Sequence, residues 1–352
     1  MRLNSRLILL VVLTAAFISG VAIGQVRSGA KATVLGTGAF TAFVENMDRS
    51  LEFYHDAFGM EVPALPATGE RPYNPANPQL FDMFDIAGAK ERHQSARITG
   101  TRVTLELMEI QNVPHQTINL RMQDPGNATL VLMVRDVDAA LARATVAKAT
   151  VETPGGKPVA SADGTRSILI RDIDRRFIEL RQPPLASVSA SGTPPGDIFD
   201  MGIRITVNDM DETKRVYRDI LGFTVEDKTV SNMMGTLTGI QAFQILQSRM
   251  QAPGSLLWIE LDEFKGVDRT PLRMKIQDRG AARLQLRVQD VDVTVSAMKA
   301  AGVTVMSVGG VAVPIPPNLK GALVADPNYF FLTPYASCPG CAPTITPAAP
   351  VR

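Results

Sequence analysis

The sequence predicts an α+β fold in which a strand–helix unit, followed by further strands, occurs four times. Residues 44–59 recur at 207–222 with six identical positions, so the chain carries an internal repeat. A second repeat joins an apolar strand to an Asp-Val-Asp step, at 136–138 and again at 290–292. Runs of mixed strands with few helices favour an α+β fold over a doubly wound parallel sheet.

Each copy of the first repeat has the pattern of a strand that runs into a short helix. Asp48 and Asp211 stand just before the helical period begins, so we expect each of them to be the N-cap. Gly59 and Gly222 follow the helix, where a left-handed residue ends it at low cost. The residues after each glycine alternate in polarity, which predicts a strand.

The second repeat predicts two more helices, which start after the Asp-Val-Asp steps and continue to about residues 144 and 301. Alternating or apolar runs predict the remaining strands. These are residues 102–110, 127–134, 167–171, 177–181, 255–261, 283–288 and 329–333.

Changes in composition divide the chain into two domains and three connecting or terminal segments. The first domain is expected at 32–184 and the second at 197–336. Between them, residues 185–196 are rich in Ser, Pro and Gly, which is typical of a linker. The tail, 337–352, is rich in Pro and Ala without an apolar period, so we expect it to be poorly ordered.

The N-terminus has the pattern of an export signal. Arg2 and Arg6 precede an apolar run that ends at about Gly24, where small residues are spaced as at a signal-peptidase site. Residues 1–24 therefore predict a signal peptide and an exported protein, periplasmic or secreted. The alternative is an uncleaved anchor, because the run is just long enough to span a bilayer. No other membrane contact is expected.

Bulk composition excludes some partners and suggests one covalent bond. A net charge of +1 and an aromatic content of 6% give no reason to expect a nucleic-acid partner. The two cysteines, Cys338 and Cys341, lie in the tail, and in an oxidising compartment they predict a local disulfide. A redox-active pair is the alternative, although such pairs usually begin a helix after a strand. Two thiols alone do not make a structural zinc site.

Three segments together resemble the vicinal oxygen chelate superfamily, which includes glyoxalase I, bleomycin-resistance proteins and extradiol dioxygenases. They are the repeat at 44–59, the step at 134–138 and the stretch 171–180. The last segment is similar to the family's Asp-Pro-Asp-Gly turn before a Glu-Leu strand, with Ile173 and Arg175 replacing Pro and Gly. The resemblance implies two tandem domains, each made of paired βαβββ modules whose curled mixed sheets enclose a cleft.

In this family one metal ion is typically held by side chains from the first and last strands of two modules. Carried onto the first domain, these positions are Ala39, Glu106, Thr129 and Glu179. In the second domain they are Gly202, Glu260, Arg283 and Phe331. None of the eight is histidine, and a solvated side chain is expected for His55, His93 and His115, with a position at a cleft mouth as the alternative for His115. We therefore predict no metal or cofactor, with Glu106 and Glu179 as weak candidates for a divalent cation.

The first-domain cleft is the predicted ligand site. Its expected lining combines two carboxylates with polar and apolar neighbours: Glu106, Glu179, Thr129, Met108, Met133 and Phe177. If the cleft is dry, the two carboxylates would raise one another's pKa and could act as acid and base or bind a cationic group. The alternative is that they bond to neighbouring Thr and Arg side chains. In the second domain, an Arg283–Glu260 pair would neutralise the cleft, and Trp258 would line or fill it.

Three functions remain open at this level. The leading hypothesis is an exported, metal-free protein that binds a small organic molecule in the first-domain cleft. The second is a divalent-metal-dependent lyase or extradiol dioxygenase-like enzyme, which needs ligands that are missing from the expected positions. The third is a structural or interaction protein whose clefts are filled by side chains.

Overall fold

The computed structural model describes residues 32–184, 196–228, 233–339 and 341. The predicted signal peptide, most of the linker and most of the tail lie outside these ranges. Two mixed β-sheets with few helices make up the described part, so the predicted α+β class is confirmed. Within the described residues, no helix is long and apolar enough to cross a membrane.

The described helices are short and lie between strands. They are α1 (Met47–Phe58), α2 (Pro78–Phe84), α3 (Val137–Val146), α4 (Met210–Lys214), α5 (Met233–Thr238) and α6 (Val291–Ala300). Helix α4 continues as a π-helical turn, Arg215–Ile220. Single 3₁₀ turns lie at Pro154–Gly156 and Val308–Gly310.

The strands form four modules in chain order. Module one has β1 (Val34–Phe43), β2 (Lys90–Arg97) and β3 (Thr104–Gln111). Module two has β4 (Ala128–Val134), β5 (Thr150–Val151), β6 (Val159–Ala160), β7 (Arg166–Arg171) and β8 (Phe177–Gln182). Module three has β9 (Ile198–Thr206), β10 (Thr224–Lys228), β11 (Gln244–Gln251) and β12 (Trp258–Lys265). Module four has β13 (Ala282–Val288), β14 (Thr304–Val305), β15 (Val313–Ile315), β16 (Leu319–Gly321), β17 (Val324–Ala325) and β18 (Phe331–Ser337).

Each sheet takes one module from each half of the chain. The first sheet has the order β14-β17-β18-β13-β1-β3-β2, and the second has the order β10-β11-β12-β9-β4-β8-β7-β5. Two antiparallel pairs join the modules, β1 with β13 and β4 with β9. Modules one and four therefore share the first sheet, and modules two and three share the second. The sequence repeats revealed the modules, but they did not reveal which modules share a sheet.

The repeated helices begin two residues earlier than expected. Asn46 caps α1 by accepting a hydrogen bond from the backbone N–H of Arg49, and Asp209 caps α4 in the same way. The predicted N-caps Asp48 and Asp211 were therefore wrong. The carboxylate of Asp48 instead pairs with two buried guanidiniums, those of Arg71 and Arg92.

The helix ends follow the prediction. Gly59 has a left-handed φ of 66° and Gly222 a φ of 73°, and no neighbouring atom lies within contact distance of a Cβ added at either position. There is room for a side chain at both positions, but residues other than glycine rarely adopt a left-handed backbone conformation. Glycine therefore suits these positions.

A buried tyrosine ties each repeated helix to a turn of the other sheet. Tyr54 on α1 donates to Asp172 over 2.8 Å, and Tyr217 donates to Asp326 over 3.0 Å. Both phenols are fully buried. Burial raises the pKa of Asp172 and of Asp326 from 3.8 to about 6, although the tyrosine hydroxyls work against that rise. These two bonds link modules one and two, and modules three and four, across the gap between the sheets.

We expect Tyr54→Phe and Tyr217→Phe each to lower the free energy of unfolding by roughly 1–3 kcal/mol, because a buried carboxylate loses a donor. The pKa values of Asp172 and Asp326 in the folded state lie above the ordinary value of 3.8. Between that value and about pH 6, the folded protein therefore binds more protons at these two groups than the unfolded chain does. The hydroxyl stabilises the charged form, so the loss should be largest above that pH and smaller near pH 5. Urea titrations at pH 8 and pH 5 measure both effects.

Tyr335→Phe, on β18 and away from both turns, is the matched control. An equal loss at both pH values in the two test variants would contradict the assignment of the charge to Asp172 and Asp326.

Candidate functional site

The strand registers place three glutamates beside first-strand residues. In parallel pairing, Glu106 lies next to Thr41, Glu179 next to Val131 and Glu260 next to Arg204. In module four the corresponding two positions are Gln285 on the first strand and Thr333 on the last strand, where the other modules have glutamate. Each first-strand residue stands three positions before a valine that recurs in all four modules, at residues 44, 134, 207 and 288.

The predicted first-strand positions were therefore one pleat away from the glutamates. Ala39, Thr129, Gly202 and Arg283 each lie two residues before the residue at the glutamate level. Because side chains two apart on a regular strand point to the same face, the face was correct for Thr129, Gly202 and Arg283, and their level along the strand was wrong. Ala39 lies where β1 is irregular, between Thr37 and Phe40.

Glu106 and Glu179 do not share a cleft, which corrects the predicted first-domain site. Glu106 belongs to the first sheet, where Thr41 donates to it over 2.5 Å and Arg283 over 3.2 Å. Glu179 belongs to the second sheet and bonds to Arg181 and Arg204. The reason is the pairing of modules, which brings module four to module one and module three to module two.

The other predicted site residues are divided in the same way. Met108 is buried on the first sheet, and Thr129, Met133 and Phe177 lie on the second sheet. Thr129 is fully buried and its hydroxyl approaches the sulfur of Met122. Phe177 packs under the guanidinium of Arg171 at 3.8 Å. Of the six predicted ligand-binding residues, only Glu179 lines the cavity of the second sheet.

Two arginines bridge two glutamates at the centre of the second sheet. Arg181 donates to Glu179 over 2.7 Å and makes a bidentate pair with Glu260 at 2.9 and 2.8 Å. Arg204 donates to Glu179 and, over 2.7 Å, to Glu260. We call these four side chains, with Asp262, the Arg–Glu network.

Charge and burial act in opposite directions on these carboxyl groups. Burial alone would raise the pKa of Glu179, but Arg181 and Arg204 outweigh it and hold that pKa at about 2. Burial also opposes ionisation of Glu260, and the same two arginines bring its pKa well below the ordinary value. Both glutamates are therefore ionised across the physiological range.

Asp262 is a third carboxylate, behind Arg204. Its Oδ2 lies 2.8 Å from Arg204 Nε, but the pair is not aligned as a hydrogen bond. Gln247 donates to Oδ1 over 2.9 Å. Complete burial dominates and raises the pKa of Asp262 to about 6, despite the nearby guanidinium.

Trp258 lies beside the network and is not part of the cavity lining, although its position two residues before Glu260 predicted that it would line or fill the cleft. Its indole N–H donates to Asp200 over 2.8 Å, and its ring lies against Gly202. A Cβ at Gly202 would come within 2.5 Å of the ring atoms, so only glycine allows this packing. The guanidinium of Arg181 lies 5.6 Å from the ring centroid, which adds a cation–π contact to its ion pairs.

A cavity of about 430 Å³ lies in front of the network, and we call it the second-sheet cavity. Helix α5 contributes an apolar wall of Met233, Met234 and Leu237. The remaining lining is mostly polar and consists of Ser161, Ala162, Asp163, Thr165, Glu179, Arg181, Arg204, Lys228, Gln247, Ser248 and Glu260.

In the first sheet, side chains of α2 fill the corresponding space. Phe81, Met83 and Phe84 are all buried, and the helix reaches from module one onto β15 of module four. The ring of Phe84 lies 4.8 Å from the guanidinium of Arg283, which in turn bonds to Glu106. The cleft of the first sheet is therefore filled by side chains, whereas the cleft of the second sheet is open.

The side chains of the second sheet do not fit a metal ion. The four positions from which this fold would supply ligands hold Val131, Glu179, Arg204 and Glu260, so two of them cannot coordinate a cation. The two carboxylates are already bonded to guanidiniums. Across the described part of the chain, no group of three or more His, Cys, Asp or Glu side chains is arranged for a metal.

Two network residues, Arg181 and Arg204, were missed by reasoning from the sequence. Arg181 stands two residues after Glu179 and therefore on the same strand face. Arg204 stands three residues before the recurring valine at 207, at the level of Glu260. Strand alternation could have found the first, and alignment of the four modules on their valines could have found the second.

Comparisons with known proteins agree with this architecture. Glyoxalase I from Zea mays is 16% identical with a TM-score of 0.56, covering 87% of this chain and 92% of the maize chain. A candidate dioxygenase from Bacillus subtilis subsp. subtilis str. 168 is 13% identical with a TM-score of 0.51, covering 89% and 88%. At these identities the likeness concerns the fold alone. No curated protein matches the chain by sequence.

A family model gives the assignment. The model described as Glyoxalase/Bleomycin resistance protein/Dioxygenase superfamily matches residues 36–179 and again residues 202–310. The two matches agree with the predicted tandem domains, and together they cover more than half of the sequence. The chain therefore belongs to the glyoxalase/bleomycin resistance protein/dioxygenase superfamily.

Proposed function

We propose that this protein is a metal-independent member of its superfamily that binds a small organic molecule in the second-sheet cavity. The observation that carries the proposal is the position of two guanidiniums, those of Arg181 and Arg204, between Glu179 and Glu260. They supply the positive charge that the two carboxylates need. No step of the proposed function passes through a metal ion.

The chemistry of the guanidinium group favours binding over metal-type catalysis. A guanidinium donates hydrogen bonds in its own plane and has no vacant coordination position for a substrate oxygen. A metal centre of the family type would instead polarise such an oxygen. The network therefore retains the electrostatic balance of a cation site without its chelating chemistry.

The second-sheet cavity has the properties of a small-molecule site. Such sites are concave, largely apolar and contain a few fixed polar groups, with volumes of roughly 300–1,000 Å³. Helix α5 supplies the apolar wall, and the network supplies polar groups that are held by several bonds each. We assign a structural role to the first cleft, because α2 already fills it.

We also propose that the protein is exported, to the periplasm or the medium. The pattern of residues 1–24 supports this, as does the bond between the sulfur atoms of Cys338 and Cys341. Fractionation of cells that express the full chain should place the protein outside the cytoplasm, and deleting residues 2–24 should retain it inside. Equal cytoplasmic amounts of both forms would contradict export.

Purified protein should contain no stoichiometric metal and should bind small molecules. We expect elemental analysis to give well below one equivalent of any transition metal, and EDTA to leave Tm unchanged, because the carboxylates are already neutralised. A thermal-shift screen of small organic compounds should give stabilising hits. Met233→Trp, which fills the cavity, should abolish these shifts.

Leu256→Trp is the matched control, because Leu256 is exposed outside the cavity lining. A metal that copurifies in one equivalent and is lost in Glu179→Gln would overturn the metal-independent function. Hits that persist in Met233→Trp would place binding elsewhere.

The Arg–Glu network should behave as one buried unit in stability measurements. We expect Arg204→Met to lower the free energy of unfolding by roughly 3–5 kcal/mol, because it leaves buried carboxylates without their partner. Arg166→Met is the control, since its pair with Asp138 at 2.7 Å is largely exposed and should cost about 1 kcal/mol or less. Urea unfolding measures both variants, and equal losses would contradict a special role for the network.

A further inference from the structure

We propose that the second-sheet cavity takes a net-neutral ligand whose polar end is an amide-type group, such as a carboxamide, lactam or imide, and whose body is apolar. This inference rests on the proposed function and names the chemical class of its ligand. Three features of the cavity lead to it: its charge balance, the edge that the Arg–Glu network presents and its apolar wall.

The charges of the cavity lining cancel. Three carboxylates, Asp163, Glu179 and Glu260, face three cations, Arg181, Arg204 and Lys228. Next to the lining, Asp262 lies behind Arg204 and Arg249 lies opposite Glu260, which adds one largely shielded charge of each sign. Two further carboxylates near the lining, Glu226 beside Lys228 and Asp227 beside Lys214, are mostly exposed, so solvent screens them. A ligand with net charge would leave water without meeting a compensating charge, which is costly.

The network shows the cavity a hydrogen-bond donor next to an acceptor. The side chains of Arg181 and Glu260 are 16% and 14% exposed, whereas those of Arg204 and Glu179 are 3% and 1% exposed. Arg181 Nη1 uses one N–H on Glu260 and keeps a second one, and the Glu260 oxygens keep lone pairs. The accessible edge therefore offers a spare N–H of Arg181 next to free lone pairs of Glu260, while the two side chains stay paired with each other.

An amide is complementary to that edge. Its carbonyl oxygen can accept from Arg181 while its N–H donates to Glu260, so neither partner has to leave the other. A carboxylate has no donor for Glu260, and an ammonium has no acceptor for Arg181. Each singly charged group would also compete with the bonds inside the network.

The opposite wall suits an apolar body. Met233, Met234 and Leu237 come from α5, and methionine side chains adapt their shape to different apolar partners. The hydroxyl groups of Ser161 and Ser248 on the lining already donate to Asp163 and Asp227, so their oxygens remain as acceptors for secondary hydrogen bonds. The polar end of the ligand is therefore expected at the network and its body against α5.

A matched series of probes tests the polar end. Phenylpropionamide, phenylpropionate and phenylpropylamine share one apolar body and differ in the group that would meet Arg181 and Glu260. Isothermal titration calorimetry with the full-length protein should show the amide binding at least about tenfold more tightly than either charged analogue. A charged analogue that binds as tightly as the amide would overturn the inference.

Two variants at the cavity lining test the charge balance in opposite directions. Lys228→Gln makes the lining net negative, and Asp163→Asn makes it net positive. The first should favour phenylpropylamine over phenylpropionate relative to the wild type, and the second should do the reverse. The amide should keep its affinity within about twofold in both. An unchanged preference in both variants would contradict charge matching.

The outcomes separate this inference from the proposed function. If only charged analogues bind, and Met233→Trp abolishes that binding, the cavity is a ligand site and the amide class is wrong. If no member of the series binds while other compounds give shifts that Met233→Trp removes, the amide class again fails and the binding function stands. If no compound binds, both fail.

Discussion

The antiparallel pairing of first strands from distant modules is the constraint on which the rest of this structure depends. β1 pairs with β13 and β4 with β9, so a last-strand glutamate meets residues from the other half of the chain. Glu179 thus lies with Glu260, and Glu106 lies with Arg283. The two sheets have the same plan but enclose different chemistry, because different modules meet in each.

The Arg–Glu network shows how guanidinium groups can neutralise carboxylates at the centre of this sheet. Two buried carboxylates so close together need positive charge, and a half-neutralised pair would be strongly destabilising. Arg181 and Arg204 each contact both glutamates, so each carboxylate receives several charge-assisted hydrogen bonds. Each of these four side chains is therefore held by more than one partner, and the two more exposed ones, Arg181 and Glu260, line the cavity.

Much of the fold could be predicted from the sequence because the signals were local. The repeat at 44–59 and 207–222, the glycines that end the helices and the strand alternation around Glu179 depend on neighbours in the chain. The N-cap of α1 could not be predicted in this way, because Asn46 and Asp48 are both residues that favour the N-cap position. The choice depends on Arg71 and Arg92, which are distant in sequence and pair with Asp48.

The site was predicted only in part, for two physical reasons. Alternation along a strand gives the face of a residue but not its level, so Ala39 and Gly202 were chosen where Thr41 and Arg204 stand. Module pairing depends on contacts between strands that are far apart in sequence, which a chain of repeats does not reveal. The predicted union of Glu106 with Glu179 failed for the second reason.

The covering helices, more than the sheets, decide which cleft is open. Both α2 and α5 cross from one module to its partner in the same sheet. Helix α2 brings three buried side chains, Phe81, Met83 and Phe84, and the ring of Phe84 lies against the guanidinium of Arg283. Helix α5 is shorter, carries a glycine at 235 and leaves about 430 Å³ in front of the Arg–Glu network. Since the two sheets share one plan, the size of a few side chains on a short helix is what separates a filled cleft from an open one.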